Sequence, residues 1–272
     1  MQPLLDLLTG RSEELALDRA ALELALIEYP SLDIEPFIGI LDSYAVELSE
    51  RLAGRSSGSD YVEVANQYLF GELGFTGNTG NYYDPRNSCL NEVLTARTGI
   101  PISLAVVYLE IGRRLAQPVH GIGLPGHFLV QYKDADFAAF IDVFHGGRLL
   151  TMAECFDLAR QSAGVPLSDD PRMLAPAGNR QIVIRMLHNL RGVYLHRRAY
   201  GKALQTLNLL VTADPQAAQE YKLRGIVHMQ MRNAAAARSD LETYLRLAPE
   251  ATDRHEIEQR LRSLRSYQAG LN

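Results

Sequence analysis

The 272-residue sequence contains no tryptophan, only two cysteines, and no apolar run long enough to cross a bilayer. Each shortage excludes a class of protein. Cys89 and Cys155 stand far apart and form no CxxC, which argues against both a disulfide framework and a zinc knuckle. A membrane-spanning helix takes ~20 consecutive apolar residues, and Glu110, Arg113 and Arg114 break the apolar segment after Pro101. No membrane partner is expected. The opening MQPLLDLLTGRSEE has no basic stretch ahead of its leucines, and Asp6 falls among them, so no secretory signal is expected and a cytoplasmic location fits best.

Hydrophobic residues are plentiful, at 47% of the chain, enough for one large core or two ordinary ones. The net charge of −5 conceals an uneven distribution: residues 184–272 carry 14 Lys/Arg against 8 Asp/Glu, and residues 1–183 carry 13 against 24. That reversal of sign marks a domain boundary. The arginines of the basic part are spread around helices rather than gathered in a stripe with aromatics, so no nucleic-acid partner is expected.

Helical spacing dominates the first half. Pro36 suits a first turn, and Ile38, Leu41, Tyr44, Ala45, Leu48 and Leu52 recur at three- and four-residue steps before Gly54. A polar loop over 55–60 is followed by helical spacing from Tyr61 to Phe70. Residues 71–88 are rich in glycine, asparagine and aromatics, which suits an irregular loop packed on the domain and lining a site. Asn87 or Ser88 can cap a helix running to Arg97 with Gly99 ending it, and Pro101 opens a more apolar helix through Leu115. The period then changes. His127 to Lys133 and Ala139 to Phe144 are rich in β-formers, with residues 133–136 between them as a hairpin turn. A turn at Gly146-Gly147, a short strand at 148–150 and the capping box Thr151-x-x-Glu154 complete an α+β order of elements.

Residues 164–183, with three prolines and two aspartates, suit a linker. Beyond them Leu187 and Tyr221, Tyr194 and His228, Ala203 and Ala237, Leu207 and Leu241, and Pro215 and Pro249 are each 34 residues apart, the tetratricopeptide period. Ala203 and Ala237 mark close helix contacts. Gly192 lies one position from the equivalent of Gly225, a departure in the first repeat. Asp253 to Tyr267 suits the capping helix of a short array. The domain reading is therefore an α+β domain with N-terminal helices over 1–163, a linker over 164–183, and two repeats plus a capping helix over 184–272.

Three residues form a constellation able to do chemistry: Ser103 in the first turn of the Pro101 helix, His127 at a strand start and Asp142 on the next strand. A group at a helix N-terminus feels the positive end of the dipole, and adjacent strands can bring an imidazole and its orienting carboxylate to it. On spacing alone the plainer reading prevails: a serine near a helix start is usually a cap, and an aspartate beside a turn usually makes local hydrogen bonds. Cys89 and Cys155 read as small core residues. His120 or His145 beside His127 gives no HxH or HExxH spacing, so no metal is expected. Gly121-x-Gly123-x-x-Gly126 matches a dinucleotide string but precedes a strand instead of opening a helix, so no cofactor is expected.

The phrases NSxLNxVL, RTGIPISLAVVY, PGHFL and IDxFxGG, in that order over residues 65–160, resemble the bacterial SirB-type proteins, in which a transglutaminase-like core precedes tetratricopeptide repeats. The resemblance implies a cysteine-protease-like α+β fold followed by an all-α repeat domain. It also implies a nucleophile at the start of the central helix, with a histidine and an aspartate on successive strands. Carried over by position, His127 and Asp142 keep the second and third roles, and the cysteine position falls on Ser103. A serine hydroxyl is a far poorer nucleophile than a thiolate. The expected function is therefore a non-catalytic regulatory or accessory protein that binds a protein or peptide partner through its cleft or its repeats. The alternative is a Ser103–His127–Asp142 hydrolase or acyltransferase acting on a peptide or amide.

Overall fold

In the computed structural model, which describes residues 2–10, 16–164 and 168–269, the chain divides into two compact units. Described residues from 16 to 186 form one. Helix α1 (Gln2–Leu8) joins those from Leu187 onward in the other, so α1 packs on the repeat helix formed by residues 200–213 and not in the α+β domain where the sequence reading put it.

The α+β unit begins with α2 (Leu17–Ala25), α3 (Glu35–Arg51) and α4 (Gly58–Asn66). Ser57 caps α4 reciprocally with Asp60, and a π-helical stretch, Gln67–Glu72, continues it. Strand β1 (Thr76–Gly77) pairs in parallel with β2 (Thr98–Gly99), with α5 (Leu90–Ala96) between them. Gly99 is thus part of a strand. Arg97, at φ 54°, takes the left-handed position that ends α5, because the chain must turn at once into β2.

Helix α6 (Pro101–Arg114) follows, and every residue from Pro101 to Gly112 is buried. A helix apolar all round has to be surrounded. Here α2, α3 and α5 pack on it from one side, and β3 (Val119–Leu124) and β4 (His127–Lys133) from the other.

Strand β5 (Ala138–Asp142) pairs with β4 through the turn expected at 134–136, where Asp134 Oδ1 accepts the N–H groups of Asp136 and Phe137 at 2.8 and 2.7 Å. Strand β6 (Arg148–Leu150) comes next, and α7 (Met152–Ala163) opens on the predicted Thr151–Glu154 capping box. The sheet is antiparallel throughout, in the order β6-β5-β4-β3-β7. Ile122, Leu124, Leu129 and Leu150 meet Cys155, Phe156 and Ala159 of α7 on one face.

Its last strand, β7 (Pro176–Ala177), pairs with Gly121 and Ile122, so the described part of 164–183 is not a linker. Of the prolines that suggested a free tether, Pro176 instead opens a two-residue edge strand, where a missing N–H costs little, Pro171 opens a 3-10 turn, and Pro166 lies outside the described residues.

Helix α8 (Asn179–His196) runs across the division between the units, which falls at Met186 and Leu187. In the second unit α9 (Tyr200–Ala213), α10 (Ala218–Gln230), α11 (Ala234–Leu247) and α12 (Arg254–Ala269) follow at the positions predicted for the repeats and cap. Ala203 and Ala237 are fully buried. A Cβ on Gly225 would lie 2.9 Å from Leu241 and 3.3 Å from the Ala237 carbonyl, whereas one on Gly192 would meet nothing within 4 Å. The departure of Gly192 from the repeat is therefore real: the first repeat has no close approach there. Leu241, Tyr244, Ile257 and Leu261 form the core under α12.

A buried charge network links helices of the α+β unit. Arg114 donates to Asp18 at 2.6 Å, Glu110 at 2.9 Å and Asp42 at 2.7 Å, tying α2, α3 and α6 together. Asp18 and Glu110 are buried, so removing the guanidinium leaves Asp18 with the Arg19 N–H and a distant Arg113 at 3.8 Å, and Glu110 with Arg113 alone at 2.8 Å. Arg114→Ala is expected to cost about 3–5 kcal/mol, read as a lower midpoint in urea by circular dichroism; a loss below about 1 kcal/mol would place the network among weak surface pairs. In the repeats, Ala237→Leu should cost about 1–3 kcal/mol by overpacking. Gly192→Ala, exposed and unobstructed, should stabilise by about 0.5–1 kcal/mol. Equal melting temperatures for these two variants would mean that the close contact is not at Ala237.

Candidate functional site

The hairpin of β3 and β4 turns on Pro125 and Gly126, with Leu124 paired to His127 and Gly126 at φ +71°. A side chain on Gly126 would run into the Ser162 carbonyl of α7, so glycine answers both the turn and the packing. This turn sets His127 at the start of β4. Asp142 ends β5 two residues after Phe140, on the same pleated face as Leu150 and α7.

His127 and Asp142 meet as the sequence reading expected: Nε2 lies 3.0 Å from Oδ1, with both side chains buried. A third group joins them. His145, at the end of a single 3-10 turn (Val143–His145), brings Nδ1 to 2.7 Å from Asp142 Oδ2, and the Phe144 N–H donates to Oδ1 at 3.2 Å. The His127 and His145 rings lie 6.0 Å apart at 21°, on either side of the carboxylate. Burial pushes the Asp142 carboxyl upward, but its hydrogen bonds and charge interactions with His127 and then His145 outweigh that and hold it below the usual carboxylate range. With Asp142 holding Nε2 of His127 and Nδ1 of His145, the opposite ring nitrogens are left for other partners. Sequence reasoning weighed His145 only as a metal partner of His127. The signal available was Asp142-x-x-His145, a three-residue step that one helical turn closes.

Ser103 is elsewhere engaged. Its Oγ donates to the Asn87 carbonyl at 2.6 Å and accepts the Ile100 N–H at 3.1 Å, and the residue is completely buried. These are the bonds of a helix-start residue that reaches back to the residue before the first turn. They also pin the 71–88 loop, because Asn87 in turn donates to the Asn81 and Tyr82 carbonyls at 2.7 and 3.1 Å. Among the described residues, no hydrogen bond joins Ser103 to His127. The structure thus assembles the second and third members of the expected constellation and commits the first to backbone.

The loop does border the site. Tyr82 packs edge-on to Phe144 at 6.3 Å, and Phe144 edge-on to His127 at 6.1 Å. Gly77 admits Phe144 closely, since a Cβ there would come within 2.6 Å of the ring. Arg185, at the start of α8, was missed altogether. Its guanidinium donates to the carbonyls of Leu124 and His127, closing the hairpin turn, and lies 5.5 Å over the Phe128 ring. Burial pulls it below the usual guanidinium range. No sequence motif marks a residue 58 positions from its acceptor.

Both cysteines are buried. Burial pushes the Cys155 thiol up to about 12, and Cys89 is buried with its sulfur 3.4 Å from the Pro85 carbonyl. The Gly121–Gly126 string lies in β3 and its turn and opens no helix. A cleft of about 410 Å³ opens beside the cluster, lined by Asp142, His145, Arg148, Glu154, Asp157 and Gln161 among others. No helix among the described residues is long and apolar enough to cross a membrane.

The sequence matches the transglutaminase-like superfamily over residues 36–188 and the tetratricopeptide repeat over residues 190–262. A UPF0162 protein of Xylella fastidiosa is 37% identical over 246 residues, which covers 89% of this chain and 88% of that one. A UPF0162 protein of Pseudomonas aeruginosa is 30% identical over 249 residues, covering 92% and 91%. F-box only protein 21 of Mus musculus is 37% identical over 105 residues, 36% of this chain and 17% of that protein. The mammalian match covers about a third of the chain, while the two bacterial matches cover about nine-tenths of it. The chain belongs to the transglutaminase-like superfamily, with a transglutaminase-like α+β domain followed by a tetratricopeptide repeat region.

Proposed function

We propose that this protein is a non-catalytic, SirB-type regulatory or accessory protein that works in the cytoplasm by binding a protein partner through its transglutaminase-like cleft, its repeats, or both. The observation that carries this reading is the commitment of Ser103. A hydroxyl becomes nucleophilic when a base takes its proton, and here the proton is directed to the Asn87 carbonyl. The two cysteines offer no substitute, being buried. The repeat region supports the binding half of the reading, since stacked helical hairpins present extended surfaces that take peptides and helices.

The second reading is a Ser103–His127–Asp142 hydrolase or acyltransferase. It is favoured by the intact His127–Asp142 pair, which would orient an imidazole base.

The two readings part on mixing the protein with an activated acyl ester. No burst of acyl-enzyme is expected from the wild type, and Ser103→Cys should be alkylated no faster than an ordinary buried thiol, with no dependence on His127. Ser103→Ala should instead lower stability by about 1–3 kcal/mol, because it removes two buried hydrogen bonds worth about 0.5–1.5 kcal/mol each and leaves the Asn87 carbonyl and the Ile100 N–H only their long bond to each other, at 3.4 Å. A burst of one acyl group per chain, lost in both Ser103→Ala and His127→Ala, would establish the hydrolase and end the non-catalytic reading.

A further inference from the structure

We propose that His127, Asp142 and His145 form a binding site for one divalent transition-metal ion, with water or a ligand from the adjacent cleft completing its coordination. The proposal stands apart from the reading of Ser103, because it needs neither acylation nor a protein partner.

Three observations converge on it. The first is the donor set: two imidazole nitrogens and a carboxylate oxygen, drawn from two strand ends and one turn, lie within 4.8 Å of one another. Two nitrogens with one oxygen suit zinc, cobalt, nickel or ferrous iron, and suit magnesium or calcium poorly, since those ions favour all-oxygen shells.

The second is spacing. His127 Nε2 and Asp142 Oδ1 are 3.0 Å apart, and His145 Nδ1 and Asp142 Oδ2 are 2.7 Å apart. Two ligand bonds of ~2.1 Å at a right angle span ~3.0 Å, and at the tetrahedral angle ~3.4 Å. The carboxylate and imidazoles therefore need shifts of well under an ångström in these separations to exchange a shared proton for a shared cation.

The third is charge and access. Asp142 is buried, yet no lysine or arginine pairs with it among the described residues; both of its side-chain partners are histidines. A buried anion demands a cation or a full set of donors. A bound ion would supply that charge while both imidazoles remain neutral, the form in which they are ligands. His145 is half exposed, and the cleft of about 410 Å³ beside it and Asp142 gives an ion a way in and leaves room for further ligands.

Cobalt(II) is the probe. The full chain, free of any affinity tag and stripped with chelator, is titrated with cobalt chloride and followed by calorimetry and by visible absorption. One saturable equivalent is expected, with ligand-field bands that report nitrogen coordination. Asp142→Asn and His145→Ala should weaken that equivalent about tenfold or more, the scale by which metal-site contacts tune affinity. His255→Ala, on the exposed surface of α12, should leave it unchanged. Because His145 is half exposed, its variant is expected to fold, and its circular dichroism spectrum checks this directly. Absence of a saturable equivalent, or an equivalent that survives in folded His145→Ala, overturns the proposal.

Discussion

A carboxylate buried at the end of β5 governs the site and much of what surrounds it. Asp142 receives His127 from β4, the Phe144 N–H from the turn that follows it, and His145 from the end of that turn. Two of these donors are local, two and three residues along the chain, and His127 comes from the neighbouring strand. Their convergence fixes the start of β4 against the end of β5 and holds the 143–145 turn in shape. That turn presents Phe144 to Gly77, where β1 approaches so closely that a Cβ would lie 2.5 Å from the Phe144 carbonyl. Strand β1 leads into the loop whose Asn87 carbonyl accepts from Ser103 at the head of α6. A line of contacts thus runs from one buried anion to the central helix.

The same unit answers its other buried acids differently. Asp18 and Glu110 share the guanidinium of Arg114, a permanently charged fork with no acceptor capacity and no accessible neutral form. That arrangement serves cohesion between helices, and it leaves nothing to react. Around Asp142 the partners are imidazoles, whose ring nitrogens include both a donor and a lone pair in the neutral ring. Both solutions satisfy a buried carboxylate. Only the second sets polar ring atoms beside a cleft, since Asp142 and His145 both line it.

What was legible in the sequence was what is local. The start of α6 at Pro101, the Thr151–Glu154 box, the Asp134 turn and the 34-residue repeat each rest on contacts a few residues long, or on a period. The pairing of His127 with Asp142 was legible because successive strands of a hairpin must lie side by side, and because the surrounding phrases resembled a known family. What stayed hidden depends on residues far apart in the chain. Nothing in Pro176-Ala177 announces an edge strand, since two residues carry no alternation, and the prolines around them read as a tether. Arg185 reads as one more arginine of a basic helix until the hairpin carbonyls it serves are in place. Ser103 was ambiguous from the start. A first-turn serine can serve as a nucleophile or reach back to the helix entrance, and the choice was made by Asn87, sixteen residues earlier, whose carbonyl takes the proton.

The repeat region shows the same rule from the opposite direction, as a departure from pattern that the structure turns to use. The 34-residue offset from Gly225 falls on Arg191, so the first repeat carries the largest kind of cationic side chain where the second carries none. In the second repeat the glycine lets Leu241 press against α10. In the first, close approach at that position is given up, and Arg191 instead reaches Glu220 at the start of α10. Glu220 is buried, so the ion pair is a condition for leaving a carboxylate there at all. Tight packing inside one repeat thereby gives way to a charged bond between successive repeats. The array joins its neighbours by an ion pair at each step, Arg191 with Glu220 and then Lys222 with Asp253 at 3.0 Å, and at the second step the packing of Leu241 and Tyr244 on Ile257 and Leu261 is added to the charge.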